Sequence, residues 1–215
     1  DPAHQIAEGR THATHRGKGP VGIERFLDEG VIPPQIAVGE PVGRDVRALE
    51  CGRAEAEGVE QPLPHDDIVD HAKLQAQIKT PICLDEPIKS PDDARKAVEL
   101  KSGKIINIKN GRVGGHTQSK LVEKICRENG IAAWCGGMLE SGIGRAHNIA
   151  ISTLAGYTMP GDVSAGKRYW HKDIVEPAIE VSPEGTITAP DKPGIGFRVK
   201  QNRLAKVKVR QTVVR

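Results

Sequence analysis

Three residues at the ends of short apolar runs carry the chemistry of a proton-transfer site. Glu60 closes the pair Val59-Glu60, Asp85 follows the run Ile82–Leu84, and Lys109 follows Ile105–Ile108, at intervals of 25 and 24 residues. Two carboxylates brought together make a hard, anionic oxygen site. Such a site suits Mg²⁺ or a related divalent cation such as Mn²⁺, which takes one or two protein carboxylates and leaves positions for water and substrate oxygens. Glu86, beside Asp85, points the other way in an extended segment and is an alternative ligand. Lys109 is carried by an apolar run toward a largely dry place, where burial and a metal cation lower an ammonium's pKa and make it a usable proton base or acid. Metal-bound carboxylates facing a lysine can remove a proton α to a carboxylate.

Each residue also has a plainer role. Glu60 and Asp85 can cap the helices that follow them, and a lysine at a strand end can snorkel to the surface. The recurrence at matched positions favours the joint reading, provided that the intervening elements bring the three together. From Val59 onward, apolar runs alternate with amphipathic stretches. The pattern predicts helices near Asp66–Gln77, Pro91–Leu100, His116–Glu128 and Gly144–Leu154, and strands at Ile82–Leu84, Ile105–Ile108, Ile131–Trp134 and Tyr157–Met159. Ser90 is the expected N-cap before Pro91. The turn Cys135-Gly136-Gly137 and Asp162 stand at later strand ends. A period of this length is one strand, one helix and two loops. It predicts an α/β fold, a (β/α) TIM-type barrel, in which all strand ends converge on one mouth. Five such units are visible where a full barrel needs eight.

Composition removes other classes. No run approaches the 18 to 20 or so apolar residues of a membrane span, and residues 1–20 lack the apolar core of a signal peptide. The four cysteines form no CxxC pair, so reduced thiols and a cytoplasmic location are expected. Six of the 31 Lys and Arg fall in residues 200–215, which hold no acid; the other 25 against 28 acids leave residues 1–199 at −3. That end is expected to be a solvated basic tail, with no aromatics interleaved to stack bases, so no nucleic-acid partner is expected. Residues 1–57 are rich in Gly and Pro and keep no period, and are read as a poorly patterned, non-native or disordered segment. The glycines of GRVGGHTQSK are expected to open a helix close to the sheet, without the Gly-Lys-Ser/Thr ending of a phosphate loop. His65 and His71 are expected at the surface, and Cys135 in the core.

The stretch from Val59 to about Val199 resembles the carboxyl-terminal barrel half of the o-succinylbenzoate synthase and N-acylamino acid racemase family of the enolase superfamily. The matching segments are VEQPLPHDDIVDHAKLQ, TPICLDE, KIINIKNGRVGG, WCGGMLESGIGRAHN, PGDVS followed by RYW, and PDKPGIGFRV. The resemblance implies Glu60 and Asp85 as two of three Mg²⁺ ligands and Lys109 as the catalytic lysine facing the substrate. It also implies Gly136, Gly137 and Met138 as substrate-binding residues. The implied activity is metal-assisted α-proton abstraction from a small carboxylate. Dehydration then follows in menaquinone synthesis, or racemisation of an N-acylamino acid. The family's third ligand and Lys-x-Lys pair would fall about 25 and 50 residues before Glu60, where Gln35 and Gly9 stand; the only lysine before Lys73 is Lys18. A catalytically silent, truncated homologue is therefore a third expectation, and the oligomeric state, including a homo-oligomer, is left open.

Overall fold

The computed structural model describes residues 58–212 together with the backbone of Asp45–Arg47. The expectation for residues 1–57 otherwise lies outside the described residues. Strand β1 (Asp45–Arg47) pairs antiparallel with β7 (Thr186–Thr188).

The central sheet is parallel. Its strands are β2 (Val59–Glu60), β3 (Ile82–Leu84), β4 (Ile105–Ile108) and β5 (Ala132–Cys135), adjacent in chain order. A doubly wound sheet reverses strand order at a switch point, whereas a barrel wall adds each strand beside the last. The order here is that of a barrel wall. Tyr157 extends it by a single parallel bridge to Ala133, with Met159 N–H donating to Ala133 O (3.2 Å), where a fifth strand over Tyr157–Met159 was expected.

Helices α1 (Val69–Gln77), α2 (Pro91–Leu100), α3 (His116–Glu128) and α4 (Gly142–Ile151) follow the strands in turn. Helix α1 starts three residues later than its pattern suggests, because Asp67 Oδ1 accepts from the amides of Val69 (2.8 Å) and Asp70 (2.9 Å) and so caps the turn. Helix α2 is as expected: Ser90 Oγ accepts from Asp93 N–H, Pro91 occupies the first turn, and Lys101 closes the helix in the left-handed conformation, φ 58°. Ile131 N–H bonds back to Cys126 O at the end of α3, which delays β5 by one residue.

Alternation sorts the sheet into two faces. Ile82, Leu84, Ile106, Ile108, Ala133 and Cys135 pack with the buried helix residues Ala94, Ala97, Val122, Cys126 and Ile149 in the main core. The opposite face carries Cys83, Ile105 and Trp134 as a smaller cluster with Met159, and the Trp134 indole N–H points to Cys83 Sγ (3.2 Å). Cys83, Cys126 and Cys135 are free, buried thiols, and Cys135 lies in the core, where it was expected.

Two antiparallel pairs, β1 with β7 and β6 (Val175–Glu176) with β8 (Arg198–Val199), lie outside the repeating pattern and were not anticipated. Helix α5 (Gln201–Val207) has no buried residues. No helix among the described residues is long and apolar enough to cross a membrane.

One expectation fails outright. His71 is fully buried, not a surface histidine. Its Nδ1 bonds Asp67 O, while Nε2 accepts from Leu63 N–H (3.3 Å), so the ring ties α1 to the loop leaving β2. A spacing argument about helix faces missed it because the partners belong to that loop. The reason given for the glycines after β4 also changes. Gly114 and Gly115 both have φ 97°, and an added Cβ at Gly115 would meet nothing within 4 Å; left-handed backbone, not close approach to the sheet, selects glycine there.

Candidate active site

The strand ends of the inner face bring Glu60, Asp85 and Lys109 together. The register Cys83↔Ile105 and Leu84↔Ile106 carries Asp85 to the level of Asn107, one alternation below Lys109. Lys109 Nζ donates to Asp85 Oδ2 at 2.7 Å, and the guanidinium of Arg112 donates to Asp85 Oδ1 at 2.5 Å. The Asp85 side chain is 5% exposed, and its two cations 19% and 18%. A carboxylate so far from water requires such compensation.

Arg112 is fixed on both sides. Its Nε donates to Ile88 O (2.9 Å) and its Nη2 to Asn107 O (2.8 Å), so it bridges the loop after β3 to the end of β4. Glu60 joins through Asn107, whose Nδ2 donates to Glu60 Oε1 at 2.8 Å. Burial raises the Glu60 pKa above its ordinary value of 4.5; the Asn107 hydrogen bond opposes the shift, and the neighbouring Asp85 charge adds to it. Gln61, at φ 44°, accepts from Asp85 N–H (3.0 Å) and donates to Leu63 O and Pro64 O, which locks the two acidic strand ends to one another.

The loop after β5 covers this cluster. A Cβ on Gly136 would collide with Asn107 Oδ1 and lie 2.7 Å from Lys109 Cγ, and a Cβ on Gly137 would collide with Asp162 O. Glycine is what lets the loop lie against the lysine stem. Met138 is 56% exposed, with its N–H donating to Glu140 Oε2 (2.7 Å). Glu140 is in turn held by Asn148 Nδ2 (3.0 Å), and its carbonyl by buried Arg145 (3.0 Å) and the Trp170 indole (2.8 Å). Asp162, at the next strand end, has its pKa raised by burial, with Arg168 opposing.

The donors match a hard divalent cation in kind. Glu60, Asp85 and Glu86 offer carboxylate oxygens, and Glu86 Oε2 and Asn107 Oδ1 are buried without a hydrogen-bond partner. Both are oxygens of the kind such an ion takes, and that of Asn107 belongs to the side chain that holds Glu60. Among the described residues no group of three His, Cys, Asp or Glu is placed to hold a metal, so the donor set seen here is partial.

Sequence reasoning named Glu60, Asp85, Lys109 and Gly136, and the structure brings them together. It missed Asn107 and Arg112. A polar residue inside the apolar run IINI was the available signal for Asn107, because such a residue needs a buried partner.

Comparisons with known proteins show which family the chain resembles. A family model described as enolase C-terminal domain-like matches residues 44–203. The chain is 56% identical over 146 residues to an o-succinylbenzoate synthase of Geobacillus stearothermophilus, an alignment covering 68% of this chain and 39% of that protein. It is 51% identical over 142 residues to an N-succinylamino acid racemase of Thermus thermophilus, covering 66% of this chain and 38% of the relative. Among solved structures, an enolase superfamily member from Listeria innocua superposes with a TM-score of 0.68 at 45% identity, over 71% of this chain and 41% of that one. The L-Ala-D/L-Glu epimerase of Bacillus subtilis gives 0.61 at 27% identity, over 66% and 39%. The chain thus spans about two fifths of the length of the relatives it matches.

Proposed function

The chain belongs to the enolase C-terminal domain-like family, and from that premise we propose that it supplies the metal-holding and lysine-bearing half of an active site that removes a proton α to a carboxylate. The observation that carries the reading is the contact of Lys109 Nζ with Asp85, with Glu60 held beside it through Asn107, at consecutive strand ends. The proposed substrate is a small carboxylate and the reaction that of an o-succinylbenzoate synthase, a dehydration in menaquinone synthesis. Racemisation of an N-acylated amino acid is the second reading, favoured by the 51% identity to the Thermus thermophilus racemase.

In this mechanism Glu60 and Asp85 would hold a divalent cation, Mg²⁺ by donor type. When bound, the ion supplies positive charge that neutralises the substrate carboxylate and acidifies its α carbon. Lys109 receives or returns the proton at Nζ, on the face of the substrate that it borders. Arg112 keeps that ammonium in place by sharing Asp85 and anchoring to Asn107 O and Ile88 O. Gly136 and Gly137 let the loop after β5 lie against Asn107, the Lys109 stem and Asp162, so that its backbone borders the substrate beside the lysine, and Met138 forms the exposed rim. The apolar floor of Cys83, Ile105 and Trp134 excludes water beneath the reacting atoms. The setting proposed is cytoplasmic.

Dehydration needs a lysine on the opposite face, and losing a general base typically costs about 10² to 10⁴ in rate. This chain alone is therefore expected to give little or no o-succinylbenzoate, followed by absorbance, and at most slow exchange of the substrate α proton in deuterated water, followed by NMR. That exchange should vanish in Lys109→Ala. Calorimetric Mg²⁺ titration should show weak binding that Asp85→Asn and Glu60→Gln each abolish. Robust dehydration unaffected by Lys109→Ala would overturn the assignment of Lys109, and unchanged Mg²⁺ binding by Asp85→Asn would remove Asp85 from the site.

A further inference from the structure

Outside the strand-end cluster, two half-buried histidines on neighbouring helices face each other. His116 is the first residue of α3, and His147 lies in the second turn of α4. His147 Nδ1 and His116 Nε2 are 3.2 Å apart, with ring centroids 5.0 Å apart and planes at 87°. From these distances we propose that His116 and His147 form a two-histidine site for a borderline transition-metal ion such as Ni²⁺, Zn²⁺ or Cu²⁺, clamping α3 to α4.

Ligand nitrogens on a tetrahedral ion with bonds of roughly 2.0 to 2.1 Å stand about 3.3 Å apart, close to the separation seen here. Rings meeting head-on through one linear N–H···N bond would place their centroids about 5.5 Å apart. The observed 5.0 Å means that the N–H···N hydrogen bond between the rings is bent rather than linear, which leaves both nitrogens able to turn toward a shared ion that replaces the bridging proton. Imidazole nitrogen selects Ni²⁺, Cu²⁺ and Zn²⁺ over Mg²⁺, which prefers oxygen, so this site and the carboxylates of the mouth sort different ions.

Protonation state agrees with the geometry. The His116 pKa lies below its ordinary 6.5, chiefly through burial and then through His147 and Lys120, which keeps the ring in the neutral form that ligates. The positive end of α3 and Lys120 both oppose an incoming cation, so the site is a weak one. No third His, Cys, Asp or Glu donor joins the pair among the described residues, which leaves the other positions to water. Occupancy would tie the loop that carries Arg112 to the helix that follows Gly136 and Gly137, since α3 and α4 begin where those loops end.

The test is calorimetric titration of Ni²⁺ into the whole chain in excess Mg²⁺, comparing wild type with His116→Gln and His147→Ala. The chain holds eight histidines, so the difference between wild type and variant isolates this pair from the other six. A saturable one-to-one component that resists Mg²⁺ should weaken at least tenfold in each variant, with the double variant no weaker than either single. His116→Gln keeps a hydrogen-bonding side chain at the helix start, so unchanged far-UV circular dichroism shows that lost binding is not lost folding. Retention of that component in either variant, or its displacement by Mg²⁺, would overturn the proposal.

Discussion

Replacing Asp85 by Asn leaves Lys109 and Arg112 facing each other with no charge between them. Both cations reach Asp85 directly, at 2.7 and 2.5 Å, and each keeps only about a fifth of its side chain in water. Removing one partner of a fully buried pair costs about 3 to 5 kcal/mol. Residual exposure screens part of that, and the Asn carbonyl still accepts one hydrogen bond, so the expected loss is about 2 to 3 kcal/mol. Urea unfolding followed by circular dichroism reads this as a fall in midpoint of roughly 1 to 1.5 M at unchanged slope, for an m of about 2 kcal/mol per M. Combining Asp85→Asn with Arg112→Met relieves the repulsion. The double variant should be less destabilised than the sum of the singles by about 1 kcal/mol or more. A loss under about 0.5 kcal/mol in Asp85→Asn, the range of ordinary surface substitutions, would refute the reasoning that one desolvated carboxylate holds both cations at the strand ends.

Two further outcomes follow from the same cluster. Because burial raises the Glu60 pKa above 4.5 in the folded chain, the folded state holds that proton more tightly than the unfolded one. Its contribution is complete below 4.5 and is lost as pH rises through the folded pKa; wild type should therefore lose urea midpoint relative to Glu60→Gln as pH climbs above 4.5, and parallel profiles would refute the assignment. Gly136→Ala drives a methyl into Asn107 and Lys109 and should cost about 1 to 3 kcal/mol by urea unfolding, whereas Gly111→Ala, with nothing within 4 Å of the added carbon, should change stability by under about 0.5 kcal/mol.

The amino-acid sequence by itself determined the repeat and hence the positions of the chemistry. Strand, helix and loops recur at a period set by element lengths, so Glu60, Asp85 and Lys109 could be placed at successive strand ends, and Ser90 and Pro91 at a helix start, from local pattern alone. Family text in the same segments named the reaction class. Local pattern was silent wherever a polar group finds its partner far along the chain. Asn107 meets Glu60 47 positions away, Arg112 meets Asp85 27 positions away, and Trp134 meets Cys83 across 51. His71 looked like a surface residue until the loop from β2 folded over it, and Arg145 became a buried clamp on Ser164 and Glu140 only once α4 was packed. Periodicity records which face of an element is apolar. Which buried donor meets which acceptor depends on strand register and loop path, and those are fixed only when strands, helices and loops pack together.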